Sequence, residues 1–167
     1  SRGLGDVYKR QCLEGNRPIL VEVQALVAKT PYGMPRRTAV GFDYNRVTML
    51  LAILERRLGM DFGAYDAYVN VVGGMRVTEP AADLAVAAAL VSSYRNRPIP
   101  HGVLVMGEVG LTGEVRRIGS PERRIKDAMN LGFKRFVLPM GKLSLDEPCN
   151  GIVQVKTLEE ALDKVFA

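Results

Sequence analysis

Three serines and one lysine are the residues of this sequence whose chemistry could support covalent catalysis. A serine hydroxyl within hydrogen-bond reach of a lysine of lowered pKa forms a nucleophilic dyad. The candidates are Ser92, Ser93 and Ser120, each paired with Lys126. All four also have a structural interpretation, because two serines lie at a predicted helix end, Ser120 is placed to cap a helix, and Lys126 falls on a solvated helix face. We favour the structural interpretation and keep a displaced dyad as the alternative.

Histidine, cysteine and paired acids offer fewer options. The single histidine, His101, has no serine, cysteine or metal-ligand partner nearby in sequence, and we expect a loop residue. Together with Cys12 and Cys149 it cannot form a four-ligand zinc site of ordinary spacing, so both cysteines are expected as reduced thiols. Glu79 and Asp83 lie four residues apart and would share a helix face. They could hold a divalent cation, although a role in helix-start electrostatics is favoured.

Glycine spacing gives no phosphate site. Gly107, Gly110 and Gly113 form a GxxGxxG run, which matches neither the dinucleotide fingerprint nor the Walker loop, and we interpret them as turn glycines. The sequence also has no GxxxxGK[ST] string. Nucleotide hydrolysis is therefore not expected from these residues.

The basic residues occur in clusters, most of them arginines. Forked guanidinium groups suit phosphate oxygens and can bind a duplex backbone without reading its sequence. The alternative is a set of solvated faces and ion pairs at subunit interfaces. No aromatic platform stands among these clusters, which favours backbone contact to duplex over base stacking on single strands. The candidate DNA contacts are Arg36, Arg37, Arg46, Arg116, Arg117, Arg123, Arg124 and Lys126.

Length and composition are typical of one globular domain, with 167 residues of which 47% are hydrophobic and 25% charged. The net charge is +5, but residues 1–11, SRGLGDVYKRQ, supply +2 of it and resemble a translated sequencing adapter. We therefore treat residues 1–11 as non-native and residues 12–167 as the domain. No apolar stretch reaches the roughly 20 residues of a membrane span, and no leader pattern is present, so a cytoplasmic protein is expected.

Hydrophobic periodicity predicts strands alternating with helices. A capping box, Thr157 with Glu160, opens the last helix, and Ser120-Pro121 is expected to cap the helix before it. The predicted strands are 18–27, 66–72, 102–109, 114–118, 136–138 and 152–155, and the predicted helices are 47–58, 80–93, 121–131 and 157–165. The pattern indicates an α+β or α/β domain in which at least three helices cover a mixed sheet.

Three long segments carry a specific resemblance. They are RPILVEVQALV at 17–27, VGGMRVTEPAADLAVAAALVSS at 72–93 and GEVGLTGEVRRIGSPERRIKDAMNLGF at 107–133. In this order and spacing they resemble the C-terminal Lon-protease-like domain of the RadA family of bacterial DNA repair proteins. The resemblance implies the α+β Lon proteolytic-domain fold, which is like domain 2 of a ribosomal protein. The family's zinc-binding segment and RecA-like ATPase domain are absent from this chain, so zinc, ATP and magnesium are implied only for those parts.

The same resemblance bears on catalysis, because active Lon proteases are similar over this region. Their nucleophilic serine lies in a Gly-Pro-Ser-Ala-Gly string, which here reads EPAAD with Ala81 at the serine position. Their lysine lies in an Ile-Gly-Gly-Leu-Lys string, which here reads IGSPE with Glu122 at the lysine position. A methyl group and a carboxylate cannot replace hydroxyl and amine, so we expect no peptidase activity.

What the resemblance implies about function is a platform for DNA binding and oligomerisation. In that family the domain serves a RecA-like ATPase that promotes branch migration of recombination intermediates, in a ring expected to be hexameric, with the recombinase RecA as a partner. Duplex or branched DNA is the expected ligand. Two alternatives stay open: a working Lon-type Ser-Lys peptidase with relocated catalytic residues, and an oligomerisation module without DNA contact.

Overall fold

The structure is a computed structural model that describes residues 7–14 and 17–167, with side chains from residue 20 onward. Within this range the chain is mixed α and β, as the sequence predicts. The strands form three sheets instead of the single mixed sheet that we expected, and four helices pack around them. None of the helices in these ranges is both long enough and apolar enough to cross a membrane.

The larger sheet has four strands, and its buried side chains belong to the main hydrophobic core. Its strands are β1 Val7–Glu14, β2 Arg17–Lys29, β3 Arg37–Val40 and β4 Tyr65–Val71. They lie in the order β1-β2-β4-β3, with β3 parallel to β4 and the other pairs antiparallel. Val21, Val23 and Ala25 of β2 are buried at every second position, which confirms the alternation predicted for residues 18–27.

Two strands of this sheet lie outside the predicted elements. Strand β1 includes residues 7–11, which we had set apart, and it pairs with β2 from Val7↔Gln24 to Glu14↔Arg17. The non-native origin of residues 1–11 stays a prediction. Strand β3 was missed because only four residues follow the loop signals Pro31, Gly33 and Pro35.

Two helices cover one face of the larger sheet. Helix α1, Tyr44–Leu58, begins after Asp43, whose side chain accepts from the backbone N–H of Asn45 at 2.7 Å, and it ends as predicted at Gly59, with φ 67°. Helix α2, Asp83–Arg95, is buried along its first ten residues. Its alanine-rich sequence has no polar face there, because strands and helices pack on every side.

The second sheet is parallel and buried on both faces. Its strands are β5 Val103–Val105, β8 Arg135–Pro139 and β9 Ile152–Val155, in the order β5-β8-β9. Helix α3, Pro121–Asn130, packs on one face, where Leu104, Phe136 and Leu138 meet Ile125 and Ala128. Alternate residues of the same strands, Val105 and Val137, join the main core with α2 and with α4, Leu158–Val165. Burial on both faces is the usual setting of parallel strands.

One half of the predicted capping box of α4 is confirmed, and the other half is shifted by one residue, to the N–H of Lys156 instead of Thr157. Thr157 Oγ1 accepts from the backbone N–H of Glu160 at 3.2 Å, and the Glu160 carboxylate accepts from the backbone N–H of Lys156 at 3.1 Å. The four apolar positions that the sequence placed on one stripe are all buried: Leu158, Ala161, Leu162 and Val165.

The strand predicted over 102–109 is in fact two. After Met106 the chain leaves the parallel sheet. The next strand, β6, Glu108–Val109, pairs antiparallel with β7, Val115–Arg116. Gly107 stands at the change, where an added Cβ would lie 2.8 Å from the Val115 side chain. Close approach therefore requires glycine at this point, and the predicted turn over 110–113 joins β6 to β7.

The predicted cap of α3 by the Ser120 hydroxyl is wrong. Ser120 precedes the helix, but its backbone is left-handed, with φ 54° and ψ 50°, and its side chain makes no capping hydrogen bond. A serine oxygen reaches the first-turn N–H groups from an extended backbone, which Ser120 does not adopt. Pro121, whose fixed φ suits a first helical position, starts the helix instead.

Candidate functional site

The position predicted to correspond to the Lon serine lies in the interior of the protein. Ala81 is 4% exposed, within a 3₁₀ turn, Pro80–Ala82, that leads into α2. Its carbonyl accepts from the backbone N–H of Gly107 at 3.0 Å, and the Gly107 carbonyl accepts from the backbone N–H of Leu84 at 3.0 Å. The turn is thus fixed against the link between β5 and β6, and it presents a methyl group.

A buried ion pair lies beside this position. Arg124 of α3 is fully buried and forms an ion pair with Glu79, two residues before Ala81. Its Nε also donates to the carbonyl of Gly119 at 2.8 Å. The pair joins the segment that carries Ala81 to the helix that carries Glu122, so the two positions corresponding to the Lon dyad belong to segments linked by charge.

A second buried ion pair lies on the other side of Ala81. Asp83, fully buried at the start of α2, accepts from Arg46 Nε at 2.8 Å and also forms an ion pair with Arg46 Nη2. It also accepts from the backbone N–H of Val109 at 3.1 Å. Ala81 is therefore bracketed by charges two residues away in each direction, and both charges have arginine partners.

Burial controls the ionisation of the second pair. Removal from water raises the pKa of Asp83, which outweighs the opposing effects of the Arg46 hydrogen bonds and the Val109 N–H. The hydrogen bond to Asp83 raises the pKa of Arg46, so this arginine stays charged. The pair is a structural tie among α1, α2 and β6.

These contacts favour a structural role over the divalent-cation alternative for Glu79 and Asp83. Each carboxylate forms an ion pair with an arginine of its own. Across the side chains that the structure describes, no group of three or more histidine, cysteine or acidic residues could hold a metal ion. The favoured placement at a helix start is confirmed for Asp83, the first residue of α2.

The position predicted to correspond to the Lon lysine is partly exposed at the start of α3. Glu122 lies in the first turn of the helix and accepts from the backbone N–H of Ser144 at 3.4 Å. Its side chain lines a groove of about 430 Å³ between α3 and residues 144–147. A carboxylate in the first turn is stabilised by the positive end of the helix dipole, which is a structural role.

The serines of the displaced-dyad alternative bond to main chain. Ser92 Oγ donates to the carbonyl of Arg97 at 2.6 Å, and Ser93 Oγ accepts from the backbone N–H of Val27 at 2.8 Å. Ser120 and Lys126 are both exposed. These contacts agree with the structural interpretation of Ser92 and Ser93 at the end of α2.

The remaining candidate residues are one histidine and two cysteines. His101 is exposed in a turn before β5, and Cys149 is a free, partly buried thiol beside the second core. Cys12 has its side chain outside the described residues. The interpretation of both cysteines as reduced thiols is thus supported for Cys149 and stays a prediction for Cys12.

Three of the eight candidate DNA contacts bond to other parts of the protein, and for one of them, the fully buried Arg124, the prediction is wrong. Arg124 is fully buried against Glu79, and Arg46 binds Asp83. Arg37 donates to the carbonyls of Tyr65 and Phe62, in the second case at 2.8 Å. The fully buried Arg124 cannot reach a phosphate, whereas Arg46 and Arg37 use only part of their donor groups on the protein, so DNA contact by these two stays a prediction.

Helical periodicity carried a signal for one of these ties. Arg124 lies four residues before Ala128, and both are on the buried stripe of α3 that includes Ile125. We predicted Arg124 as a surface cation because it lies next to Arg123, and that spacing was not applied.

Five candidates are exposed, but several have acidic neighbours. Arg116 is 56% exposed at its side chain and pairs with Glu114 at 2.9 Å and with Glu108 at 3.9 Å. Arg123 and Lys126 line the α3 groove, which also contains four acids. Arg36 and Arg117 complete the exposed set. The four acids of the groove are Glu122, Asp127, Asp146 and Glu147.

With the geometry described, comparison with known proteins decides the family. The family model described as subunit ChlI of Mg-chelatase matches residues 23–142. This chain belongs to that family. The match begins at Val23 within β2 and includes β3, β4, both ion pairs and α3. The sequence motifs did not predict a match to this family model.

The curated relatives of the chain are DNA repair proteins. It is 50% identical to DNA repair protein RadA of Pseudomonas aeruginosa over 154 residues, which are 92% of this chain and 34% of that protein. It is 47% identical to RadA of Halalkalibacterium halodurans over 155 residues and to RadA of Bacillus subtilis over 152 residues, in each case 90% of this chain. The resemblance to the RadA family is confirmed, and the chain spans about a third of the length of these relatives.

Proposed function

We propose that this chain is a non-proteolytic Lon-like domain that binds DNA and supports ring assembly in a RadA-type repair protein. The observation that carries the proposal is the 50% identity to RadA over 92% of the chain. The Lon proteolytic-domain fold is part of the proposal. Its support is the placement of Ala81 at a turn leading into α2 and of Glu122 at the start of α3, in the order of the two Lon strings.

The absence of peptidase activity is proposed from the chemistry at those positions. Ala81 offers no nucleophile, and the charges on either side of it are bound in arginine pairs. Incubation of the pure domain with unfolded casein tests this. We expect no cleavage above a blank, whereas hydrolysis that disappears on Lys126→Ala or Ser120→Ala would establish the relocated dyad.

The proposed DNA contact uses the exposed cations and leaves the buried arginines aside. Arg116, Arg117, Arg123 and Lys126 follow one another along β7 and α3, and phosphate contact by such residues is indifferent to sequence. The binding should weaken with salt, by roughly 10²-fold between about 50 and 200 mM for four phosphate contacts.

The test is a gel-shift titration of duplex DNA with a fourfold alanine variant of these cations. We expect lower affinity and a shallower salt dependence than for the wild type. The matched control removes four exposed cations elsewhere, Arg95, Lys134, Lys156 and Lys164, and changes the net charge equally. Equal weakening in both variants would mean that overall charge, and not this surface, drives binding.

Assembly and the wider reaction are proposed from the relatives. We infer that the domain joins a hexameric ring in the cytoplasm. We also infer that the part of the relatives outside this chain contains an ATPase domain that uses zinc, ATP and magnesium. Branch migration and cooperation with the recombinase RecA belong to that whole protein. Sedimentation of the domain with and without DNA tests its part. A monomer under all conditions would assign ring formation to the missing domains.

A further inference from the structure

The loop between β2 and β3 exposes two large apolar side chains. Tyr32 is 91% exposed and Met34 is 88% exposed, more than any other large hydrophobic side chain that the structure describes. Gly33, with φ 68°, turns the chain between them. Neither side chain contributes to the core, so neither position is explained by packing.

This loop has a fixed base. Asp66, 8% exposed, accepts through one oxygen from the backbone N–H of Arg36 at 2.7 Å and from Thr30 Oγ1 at 3.0 Å. These two donors stand at the two ends of the loop. Arg37, the next residue, is bound to the carbonyls of Tyr65 and Phe62. The tip is therefore held out from the sheet by a pinned base.

The charged residues of the loop itself are all cations. The segment from Lys29 to Arg37 contains three cations and no acid. Lys29 and Arg36 are exposed. Arg123 and Lys126 are also exposed, but they share their groove with four acids. An apolar tip with positive flanks fits a polyanion that also offers apolar surface, and nucleic acid with accessible bases has both.

We propose that Tyr32 and Met34 form a wedge that stacks on bases at an unpaired end or a junction of DNA, while Lys29 and Arg36 hold the adjacent phosphates. Tyrosine stacks on any base, and methionine is among the apolar residues that insert between base steps. The inference rests on the DNA contact proposed above and adds a preference for unpaired bases. Clustering of cations did not reveal it, because Tyr32 stands four residues from the nearest arginine.

The experiment compares the whole chain on forked DNA and on a fully paired duplex of the same length. Anisotropy titration gives the two affinities, and 2-aminopurine at the junction reports stacking. We expect the wild type to prefer the fork by roughly tenfold, from one or two stacked bases. The variant Tyr32→Ser with Met34→Ser should lose the preference and the 2-aminopurine response, with duplex affinity changed less than about twofold.

Two controls separate stacking from general loss of apolar surface. Leu111→Ser with Leu131→Ser removes two exposed apolar side chains elsewhere, 73% and 63% exposed, and should leave the fork preference intact. Tyr32→Phe keeps the ring and should keep the response. Because Tyr32 and Met34 are exposed, circular dichroism and the thermal midpoint of the serine variant should match the wild type.

The outcomes distinguish this inference from the proposal beneath it. Equal binding of fork and duplex by the wild type, or a fork preference that survives in the serine variant, overturns the wedge and leaves duplex contact standing. No binding to either DNA overturns both. A serine variant that keeps its fork preference but sediments as a smaller species assigns the tip to contact between proteins and also overturns the wedge.

Discussion

The arginines inside the protein and those on its surface follow different rules, although the sequence places them side by side. Arg124 is fully buried and paired with Glu79, whereas its neighbour Arg123 is exposed on the same helix. One residue along a helix is a rotation of roughly 100°, enough to move a side chain from the core to solvent. A cluster of like residues in sequence is therefore not a cluster in function.

The difference has an energetic side. Removing one partner of a buried ion pair leaves an uncompensated charge in the interior, which costs about 3–5 kcal/mol. An exposed pair such as Arg116 with Glu114 contributes about 0–1 kcal/mol, because water solvates both ions when they separate. Stability and DNA binding should accordingly separate along the division between buried and exposed arginines.

The largest effect is expected for Arg124→Met. This variant keeps an unbranched side chain but leaves Glu79 without its guanidinium partner, so the free energy of unfolding should fall by about 3 kcal/mol or more. Urea denaturation measures it. The matched control is Arg123→Met on the same helix, expected to change stability by less than about 0.5 kcal/mol. Similar losses in the two variants would contradict the division between buried and exposed arginines.

The second pair should tolerate loss somewhat better. Asp83→Ala removes the partner of Arg46 and also the acceptor of the buried Val109 N–H, but the Arg46 side chain is 28% exposed and can turn to water. We expect a loss of about 2 kcal/mol in the free energy of unfolding, dominated by the orphaned amide. A double variant, Arg46→Met with Asp83→Ala, should lose less than the sum of the single variants.

The sequence was sufficient to predict elements whose periodicity or end signals are strong. The buried stripe of α4, the end of α1 at Gly59 and the alternation of β2 each follow from local pattern. The division into separate sheets could not be predicted, because it depends on which strands pair across many residues. Strand β3 was missed for the same reason, since its four residues gain their structure from β4.

The candidate site was proposed from the order of motifs, and its contacts could not be predicted. Motif strings located Ala81 and Glu122, which needs only sequence order. The ion pairs that bracket Ala81 join residues 37 and 45 positions apart, and no periodicity connects such distant positions. The exposed tip at Tyr32 was also hidden, because exposure of a single aromatic residue depends on how its loop is anchored.

A smaller effect is expected at Asp66, a buried carboxylate that accepts a hydrogen bond from the backbone N–H of the exposed Arg36. The backbone N–H of Arg36 lowers the pKa of Asp66 most, and the Thr30 hydroxyl, the Arg36 charge and the Tyr68 hydroxyl lower it further, against the opposing effect of burial. A carboxyl whose pKa is lower in the folded state stabilises the fold above its unfolded pKa of about 4 and loses that contribution as the pH falls. The stability difference between wild type and Asp66→Asn should thus be largest near neutral pH and shrink below about pH 4.

Thermal unfolding at several pH values measures this difference. Asparagine keeps a carbonyl acceptor for the Arg36 N–H, so the variant isolates the charge and should leave the loop in place. A difference that stays constant from neutral pH down to pH 3 would show that the Asp66 charge does not hold the loop base.

The smallest effect, and the only stabilising one, is expected at Ser120, at the start of the helix that carries both Arg123 and Arg124. Its left-handed backbone costs a residue with a Cβ about 1 kcal/mol, and its hydroxyl makes no cap in return. Ser120→Gly should therefore raise the free energy of unfolding by about 0.5 kcal/mol, after the greater entropy of unfolded glycine is subtracted. Ser120→Ala is the matched control, since alanine keeps the Cβ, and it should leave the thermal midpoint unchanged. Destabilisation by glycine would mean that the Ser120 side chain makes a contact that positions α3, and the exposed face of that helix would then depend on its first residue.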